Sequence, residues 1–207
     1  MMTRIKICGI TDPEGAAVAA EAGADALGFN FVPGTPRCVA PEIAGAIIAG
    51  LPPFVTAVGV FLDQPLETVL RAAAVAGVEA VQLHGTEGAE FVRRIPLKVI
   101  KAVAASDRAG LAVMTGFPAH AFLLDSHRAG EAGGTGRPFD WDLAREARRH
   151  GRIILAGGLR AENVGEAVRR VRPFAVDVAS GVESRPGVKD PRKVRDFIAA
   201  VRRADAD

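Results

Sequence analysis

The feature that most constrains the fold is a regular alternation of short β-rich segments with longer helical patterns along the whole chain. Eight segments have strand character, and they recur about every twenty to thirty residues, the length of a βα unit. The strands are predicted at Arg4–Cys8, Ala26–Phe31, Val55–Phe61, Ala80–His84, Val99–Val103, Ala121–Asp125, Ile153–Ala156 and Ala175–Ala179. This alternation predicts a parallel sheet with helices packed outside it.

Helix boundary residues between the predicted strands support this alternation. Asp12-Pro13 is typical of a helix start, with a side-chain cap and proline in the first turn, and Gly23 is typical of the end. Pro65 opens a second predicted helix that Gly77 ends, and Asp190-Pro191 opens the last one. The sequence thus predicts where several connecting helices begin and end.

Eight βα units fit an α/β fold of the (β/α)8 TIM barrel type, in which the sheet closes without edges. A doubly wound open sheet is the alternative, and the number of strands alone does not separate the two. No linker or break in composition interrupts residues 1–207, and the chain is 49% hydrophobic. We therefore expect one barrel domain spanning residues 1–207.

Charge and composition exclude several classes of partner. The net charge is +2, with 26 basic and 24 acidic residues and no basic block, which argues against nucleic acid. No secretory signal and no apolar run of about 20 residues is present, so we expect no membrane association and a cytoplasmic location. Two cysteines, Cys8 and Cys38, do not indicate a disulfide scaffold.

Polar residues and glycines collect where the predicted strands end. In parallel α/β folds, functional groups gather at these carboxyl ends. The residues in question are Cys8, Arg37, Gln82, His84, Asp125, Gly157, Gly158, Asp177, Ser180, Gly181 and Glu183. Their shared position predicts a site at one end of the barrel.

Strand alternation places Lys6 inside the barrel if Cys8 points inward. A charged lysine there needs a partner, because an isolated buried charge is very unfavourable. Since the last strand closes against the first, we predict that Asp177 pairs with Lys6.

Glycines after the last two strands of the barrel predict a phosphate site. Gly157-Gly158 and Ser180-Gly181 follow the seventh and eighth strands, where many barrels bind phosphate through backbone N–H groups. A further run, Gly133–Gly136, is a candidate phosphate-covering loop. Ordinary turns also use glycine, so each pair alone is a weak signal. No P-loop motif is present, and we expect neither ATP nor a dinucleotide.

Cys8 and Asp125 are candidates for a general base and a general acid. A thiol with an ordinary pKa of about 8.5 needs a nearby cation to act as a base at neutral pH, and an aspartic acid needs partial burial to keep its proton. The alternatives are a small buried residue for Cys8 and a helix cap for Asp125. For Arg37 the alternative is an exposed loop cation, and for His84 a hydrogen-bonded core histidine. The four histidines lack metal-ligand spacing, so we expect no metal.

Several short motifs, in order and at suitable spacing over nearly the whole chain, resemble those of the phosphoribosylanthranilate isomerase family of tryptophan biosynthesis. They are KICGIT (6–11), TPR (35–37), VQLHG (81–85), LLDS (123–126), GGTG with FDW (133–141), LAGGL with ENV (155–164), and SGVE with PGVKD (180–190).

This resemblance implies a (β/α)8 barrel without metal or cofactor that catalyses an Amadori rearrangement. It implies that Cys8 is the base, Asp125 the acid and Arg37 the ligand of the anthranilate carboxylate. Gly158, Ser180 and Gly181 are implied as phosphate ligands. Finally, the resemblance implies a phosphorylated small molecule as the partner and places Gln82, His84 and Asp177 in the substrate site.

Two positions depart from the family pattern, and two other functions stay open. Ala179 replaces an expected serine near the phosphate, and Arg137 stands where lysine is common. The related histidine-pathway isomerase resembles this family but has a carboxylate in place of Cys8. A silent barrel that binds phosphorylated ligands is the other alternative. The sequence leaves the oligomeric state open between monomer and homodimer.

Overall fold

The predicted strands lie side by side in one closed parallel barrel, which excludes the open sheet. The computed structural model describes residues 2–104, 108–125 and 141–207. The barrel strands are β1 (Arg4–Cys8), β2 (Ala26–Asn30), β3 (Thr56–Phe61), β4 (Ala80–Leu83), β5 (Lys98–Ala104), β6 (Ala121–Asp125), β7 (Ile153–Leu155) and β8 (Ala175–Val178). Each overlaps its predicted strand, with boundaries shifted by at most one residue.

Helices follow the strands in the order expected of βα units. They are α1 (Pro13–Glu21), α2 (Pro41–Ile48), α3 (Leu66–Ala76), α4 (Ala89–Arg93), α5 (Arg108–Ala112), α6 (Trp141–Ala147), α7 (Ala161–Val171) and α8 (Pro191–Ala206). A 3-10 turn over Ser180–Val182 and a hairpin of β9 (Glu183–Arg185) and β10 (Val188–Lys189) separate β8 from α8. The sequence did not predict this hairpin.

The helix boundary signals are confirmed in atomic detail. The Asp12 side chain accepts a hydrogen bond from the Gly15 N–H, and Asp190 accepts from the first N–H groups of α8. Each carboxylate thereby satisfies amides that have no partner within the helix. Gly77 ends α3 in the left-handed conformation, with φ of 70°, where glycine carries no Cβ penalty.

Alternation along the strands separates two regions of packing. Outward-facing side chains, such as Ile5 and Ile7 of β1, are fully buried against the helices in the main hydrophobic core. Inward-facing residues of β6, β7 and β8 form a smaller apolar cluster within the barrel, which includes Leu123 and Ile154. The interior also contains three buried polar residues on β1, β4 and β8, namely Lys6, Gln82 and Asp177. The barrel interior thus combines an apolar cluster with polar side chains.

Candidate active site

Lys6 and Asp177 form the ion pair that the sequence predicts. They are register partners on β1 and β8, and the Lys6 Nζ lies 2.8 Å from Asp177 Oδ1. Their side chains are 4% and 10% exposed. Burial alone lowers the pKa of Lys6, but the charges of Asp177 and Cys8 outweigh this effect and raise it above its ordinary value. Lys6 is therefore a fixed cation inside the barrel.

Cys8 lies next to this cation at the carboxyl end of β1. A Cβ atom added to Gly28 of β2 would lie 2.7 Å from Cys8 Sγ and 3.1 Å from Lys6 Nζ. Glycine at this position thus leaves the space in which the thiol and the ammonium group approach one another. Burial raises the pKa of the Cys8 thiol, whereas Lys6 and Lys189 act in the opposite direction. The cationic support that a thiol base needs is present, although burial has the larger effect.

A second group of predicted residues converges at the ends of β4 and β6. Gln82 Nε2 lies 3.3 Å from His84 Nδ1, and His84 Nε2 lies 3.7 Å from Asp125 Oδ2. Burial lowers the pKa of His84, against the effects of Asp125 and Asp177, so the ring is neutral at pH 7. His84 thus lies between the Gln82 amide and the Asp125 carboxylate, with Nε2 facing the carboxylate. The Asp125 side chain is 22% exposed and is thus partly buried.

Arg37 pairs with Glu183 rather than standing as an exposed loop cation. Its Nε and Nη2 atoms donate to the two Glu183 carboxylate oxygens at 2.9 and 2.7 Å. The arginine side chain crosses Gly9, where an added Cβ would lie 2.5 Å from Arg37 Cδ. Arg37 therefore lies against the residue that follows Cys8. Glu183 belongs to the SGVE motif, but its partner lies 146 residues away in sequence, so the pairing could not be predicted.

The two predicted glycine loops after β7 and β8 contact one another. A Cβ on Gly181 would lie only 2.0 Å from the carbonyl oxygen of Leu159. Gly158 has φ of 64°, in the left-handed region that favours glycine. Its carbonyl accepts a hydrogen bond from Asn163 in the first turn of α7. Gly158, Ser180 and Gly181 are thus brought together, as the sequence predicts.

A buried ion pair behind the β4 loop is a feature that sequence reasoning missed. Lys101 and Glu87 are 3.1 Å apart, with side chains 9% and 3% exposed. Lys101 also donates to the carbonyl groups of Leu83 and Gly85, which flank His84. Lys101 lies mid-strand on the outer face of β5, where the alternation pattern predicts an apolar residue. No sequence signal indicated its partner.

One predicted loop lies outside the described residues, and one cavity lies away from the predicted site residues. The predicted loop Gly133–Gly136 and the departure at Arg137 lie outside the described residues. A cavity of about 730 Å³ includes Thr3, Ile153 and Phe174, at the amino-terminal end of the barrel. This is the end opposite to Cys8 and Asp125.

Neither a metal-binding cluster nor a membrane-spanning helix is found in residues 2–104, 108–125 and 141–207. Within these ranges, no group of three or more histidine, cysteine, aspartate or glutamate residues is arranged to hold a metal ion. No helix in the same ranges has both the length and the apolar character to cross a membrane.

Comparison with known proteins places this geometry in a family. Residues 5–200 match the family described as N-(5'phosphoribosyl)anthranilate (PRA) isomerase. The N-(5'-phosphoribosyl)anthranilate isomerase of Geobacter metallireducens is 51% identical over 205 residues, which cover 99% of this chain and all of the relative.

Solved structures agree with this match. Phosphoribosyl anthranilate isomerase from Thermotoga maritima superposes with a TM-score of 0.90 at 44% identity, covering 97% of this chain and 99% of the other. A phosphoribosyl anthranilate isomerase in complex with reduced 1-(o-carboxyphenylamino)-1-deoxyribulose 5-phosphate gives a TM-score of 0.88 at 42% identity, with the same coverage. The eight-stranded barrel, the ordered motifs and these matches show that the chain belongs to the phosphoribosylanthranilate isomerase family.

Proposed function

We propose that Cys8 and Asp125 are the general base and general acid of the isomerase reaction. The chain is a phosphoribosylanthranilate isomerase of tryptophan biosynthesis. The observation that carries the residue assignment is the pairing of each group with a supporting neighbour. Lys6 lies beside Cys8, and the neutral His84 lies 3.7 Å from Asp125.

The reaction begins when Asp125 donates its proton to the ribose ring oxygen of N-(5-phosphoribosyl)anthranilate. The bond from that oxygen to C1 breaks, the ring opens, and the anthranilate nitrogen forms a Schiff base with C1. The Cys8 thiolate then removes the proton from C2, and the electron pair moves into the C1–C2 bond to give an enolamine. Tautomerisation yields the ketone, 1-(2-carboxyphenylamino)-1-deoxyribulose 5-phosphate. The reaction needs proton transfers only, so we propose no cofactor.

Lys6 supports the base step in this proposal. The thiol must lose its proton before it can accept one from C2, and burial opposes that loss. A fixed cation within the same part of the barrel stabilises the thiolate. Asp177 keeps Lys6 in place, which gives Asp177 a role beside the substrate.

The substrate has two anionic groups, a phosphate and a carboxylate, and the site contains candidate ligands for each. The backbone N–H groups of Gly158, Ser180 and Gly181 make no hydrogen bond to another residue within the described ranges. We propose that they bind the phosphate and that the Arg37 fork binds the anthranilate carboxylate. Gln82 Oε1 is buried and has no hydrogen-bond partner among the described residues, and we propose that it accepts a hydrogen bond from substrate.

Turnover of freshly made phosphoribosylanthranilate tests the assignment, with Cys8→Ala and Asp125→Asn beside the unmodified chain. Loss of one acid or base group is expected to lower kcat by about 10²- to 10⁴-fold, while substrate binding is retained. Cys38→Ala is the matched control, because Cys38 is the other cysteine and is exposed. It should leave kcat unchanged.

Other outcomes of this assay would support different readings. Activity retained in Cys8→Ala would refute the thiol as the base. Tight phosphate-dependent binding without turnover by the unmodified chain would favour the silent barrel. Turnover of the histidine-pathway aminoaldose would show a second activity. The cytoplasmic location, the single domain and the choice between monomer and homodimer stay predictions.

A further inference from the structure

We propose that Glu183 is a positioning residue that determines how Arg37 presents its guanidinium group to the substrate carboxylate. This inference rests on the proposed role of Arg37 in binding that carboxylate. It assigns a function to Glu183, which the reaction itself does not use.

The geometry of the pair leaves one defined part of Arg37 available. A guanidinium group has five N–H donors in a rigid plane. Glu183 accepts from Nε and Nη2, and thus occupies the side edge of that plane. The remaining donors lie on Nη1 and on the outer side of Nη2, which together form a second fork at the end of the side chain. Only this end can receive a second carboxylate in a bidentate contact.

Exposure agrees with this division of the guanidinium group. The side chain of Glu183 is 4% exposed, whereas that of Arg37 is 25% exposed. The carboxylate is therefore a buried support, and the accessible part of the pair belongs to the arginine. An arginine held on one edge loses less side-chain entropy when it binds a ligand, since its rotamer is already fixed.

Glu183 is itself held by donors from several directions. Lys189 Nζ lies 2.9 Å from its Oε1 atom, and the Gly187 N–H donates to the same oxygen at 3.3 Å. The Lys193 Nζ donates to the Glu183 carbonyl at 2.7 Å. The hairpin of β9 and β10 thus forms a rigid base for the carboxylate.

The same network reaches the proposed base and the phosphate turn. Lys189, whose side chain is 1% exposed, also donates to the carbonyl oxygen of Cys8. Glu183 directly follows the 3-10 turn over Ser180–Val182. One short segment therefore connects the phosphate loop, the end of β1 and the arginine of the β2 loop.

The charges of the network predict the type of ligand. Arg37 and Lys189 are cationic and Glu183 is anionic, so the three side chains carry one net positive charge. The pKa of Glu183 is lowered because the hydrogen bonds and charges of Arg37 and Lys189 outweigh burial, so it stays ionised at neutral pH. A carboxylate bound at the free end of Arg37 would pair with the guanidinium charge.

Substitution Glu183→Gln tests the proposal, because it keeps the shape and removes the charge. Three probes are compared: the reduced product analogue, its phenylamino counterpart without the carboxyl group, and inorganic phosphate. We expect Kd for the carboxylated analogue to rise about 10- to 100-fold, the range of a charge-assisted hydrogen bond. Kd for the other two probes should change less than about twofold, and KM should rise more than kcat falls.

Glu166→Gln is the matched control, because it removes an exposed glutamate that pairs with Arg170 on α7. It should leave all three Kd values unchanged. In an Arg37→Lys background, Glu183→Gln should have little further effect, since lysine has no fork to orient. If Glu183→Gln does not fold, Glu183→Asp keeps the charge for Lys189 but shortens the reach to Arg37, and should show the same selective loss.

Three results would overturn the inference. Tighter binding of the carboxylated analogue would show that Glu183 only reduces the positive charge. Equal weakening of all three probes would show a purely structural role. Unchanged affinities in a folded variant would show that Arg37 needs no support. Failure of the unmodified chain to turn over substrate would instead refute the proposed function, so the two failures are distinguishable.

Discussion

Replacing Lys6 by methionine should make Cys8 a much weaker acid, and the structure sets the size of the effect. Cys8 Sγ and Lys6 Nζ both lie about 3 Å from the same point above Gly28, so they are within about 6 Å of each other. At that separation, an effective dielectric constant of about 20 gives an interaction of about 3 kcal/mol. This corresponds to a factor of about 100 in the acid dissociation constant of the thiol. We therefore expect Lys6→Met to raise the pKa of Cys8 above that of the unmodified chain, because the cation that lowers it is removed.

Alkylation of Cys8 by iodoacetamide at pH 8 measures this change, in a Cys38→Ser background so that only one cysteine can react. The thiolate fraction should fall about 100-fold. Intrinsic nucleophilicity rises as the pKa rises, with a slope of about 0.4–0.5, so the net rate should fall about tenfold. The pH at which kcat/KM rises should also move upward, because it follows the pKa of Cys8.

Asp177→Asn should lower the pKa of Cys8, the opposite of the change expected in Lys6→Met, because the negative charge of Asp177 raises that pKa. The alkylation rate should rise in that variant, and the double variant Lys6→Met/Asp177→Asn should lie between the two single variants. An unchanged or faster rate in folded Lys6→Met would refute the argument. A slower rate in Asp177→Asn would show instead that holding Lys6 in place outweighs the negative charge of Asp177.

Three further predictions concern stability and binding. Gly181→Ala should weaken binding of inorganic phosphate at least tenfold, because the added methyl group would lie 2.0 Å from the Leu159 carbonyl oxygen of the facing loop. Gly88→Ala should leave phosphate binding unchanged, because the space around Gly88 is open. Calorimetry would measure both affinities. Asp25→Asn should lower the free energy of unfolding at pH 7 by about 1–3 kcal/mol, because the Ile5 N–H and two arginines lose a charged acceptor. The pKa of Asp25 is lowered in the folded state by its Arg4 and backbone hydrogen bonds, which outweigh burial. This stability is therefore present above the unfolded pKa of about 3.9 and is lost as the pH falls further, so the difference measured by urea unfolding should shrink below pH 4; a constant difference would contradict the argument. Lys101→Met should lower the free energy of unfolding by about 3–5 kcal/mol, because it leaves Glu87 buried without its cation. The double variant Lys101→Met/Glu87→Gln should recover part of this loss. If urea unfolding shows no recovery, the pairing is contradicted.

Much of the fold was predictable because its signals are local. Strand positions followed from short apolar runs, and helix starts followed from capping residues such as Asp12 and Asp190. The pairing of Lys6 with Asp177 was also predictable, since strand alternation and barrel closure bring the first and last strands together. Closure itself was not, because eight βα units are compatible with an open sheet.

The candidate site was predictable as a set of strand-end residues, but its contacts were not. The sequence gives no register between the β2 loop and the hairpin after β8, so the pairing of Arg37 with Glu183 had no signal. The Lys101–Glu87 pair was missed for a different reason: a lysine in the middle of a strand is usually exposed, and only the fold of the β4 loop buries it.

By itself, the sequence determined the βα order, the helix boundaries and the end of the barrel at which functional residues gather, because each depends on neighbouring residues or on a short period. Only the tertiary structure decided which charges meet. Lys6, Glu183 and Lys101 each depend on partners brought close by barrel closure or by loop packing. Electrostatic interactions depend on distance and burial, and both are properties of the folded chain.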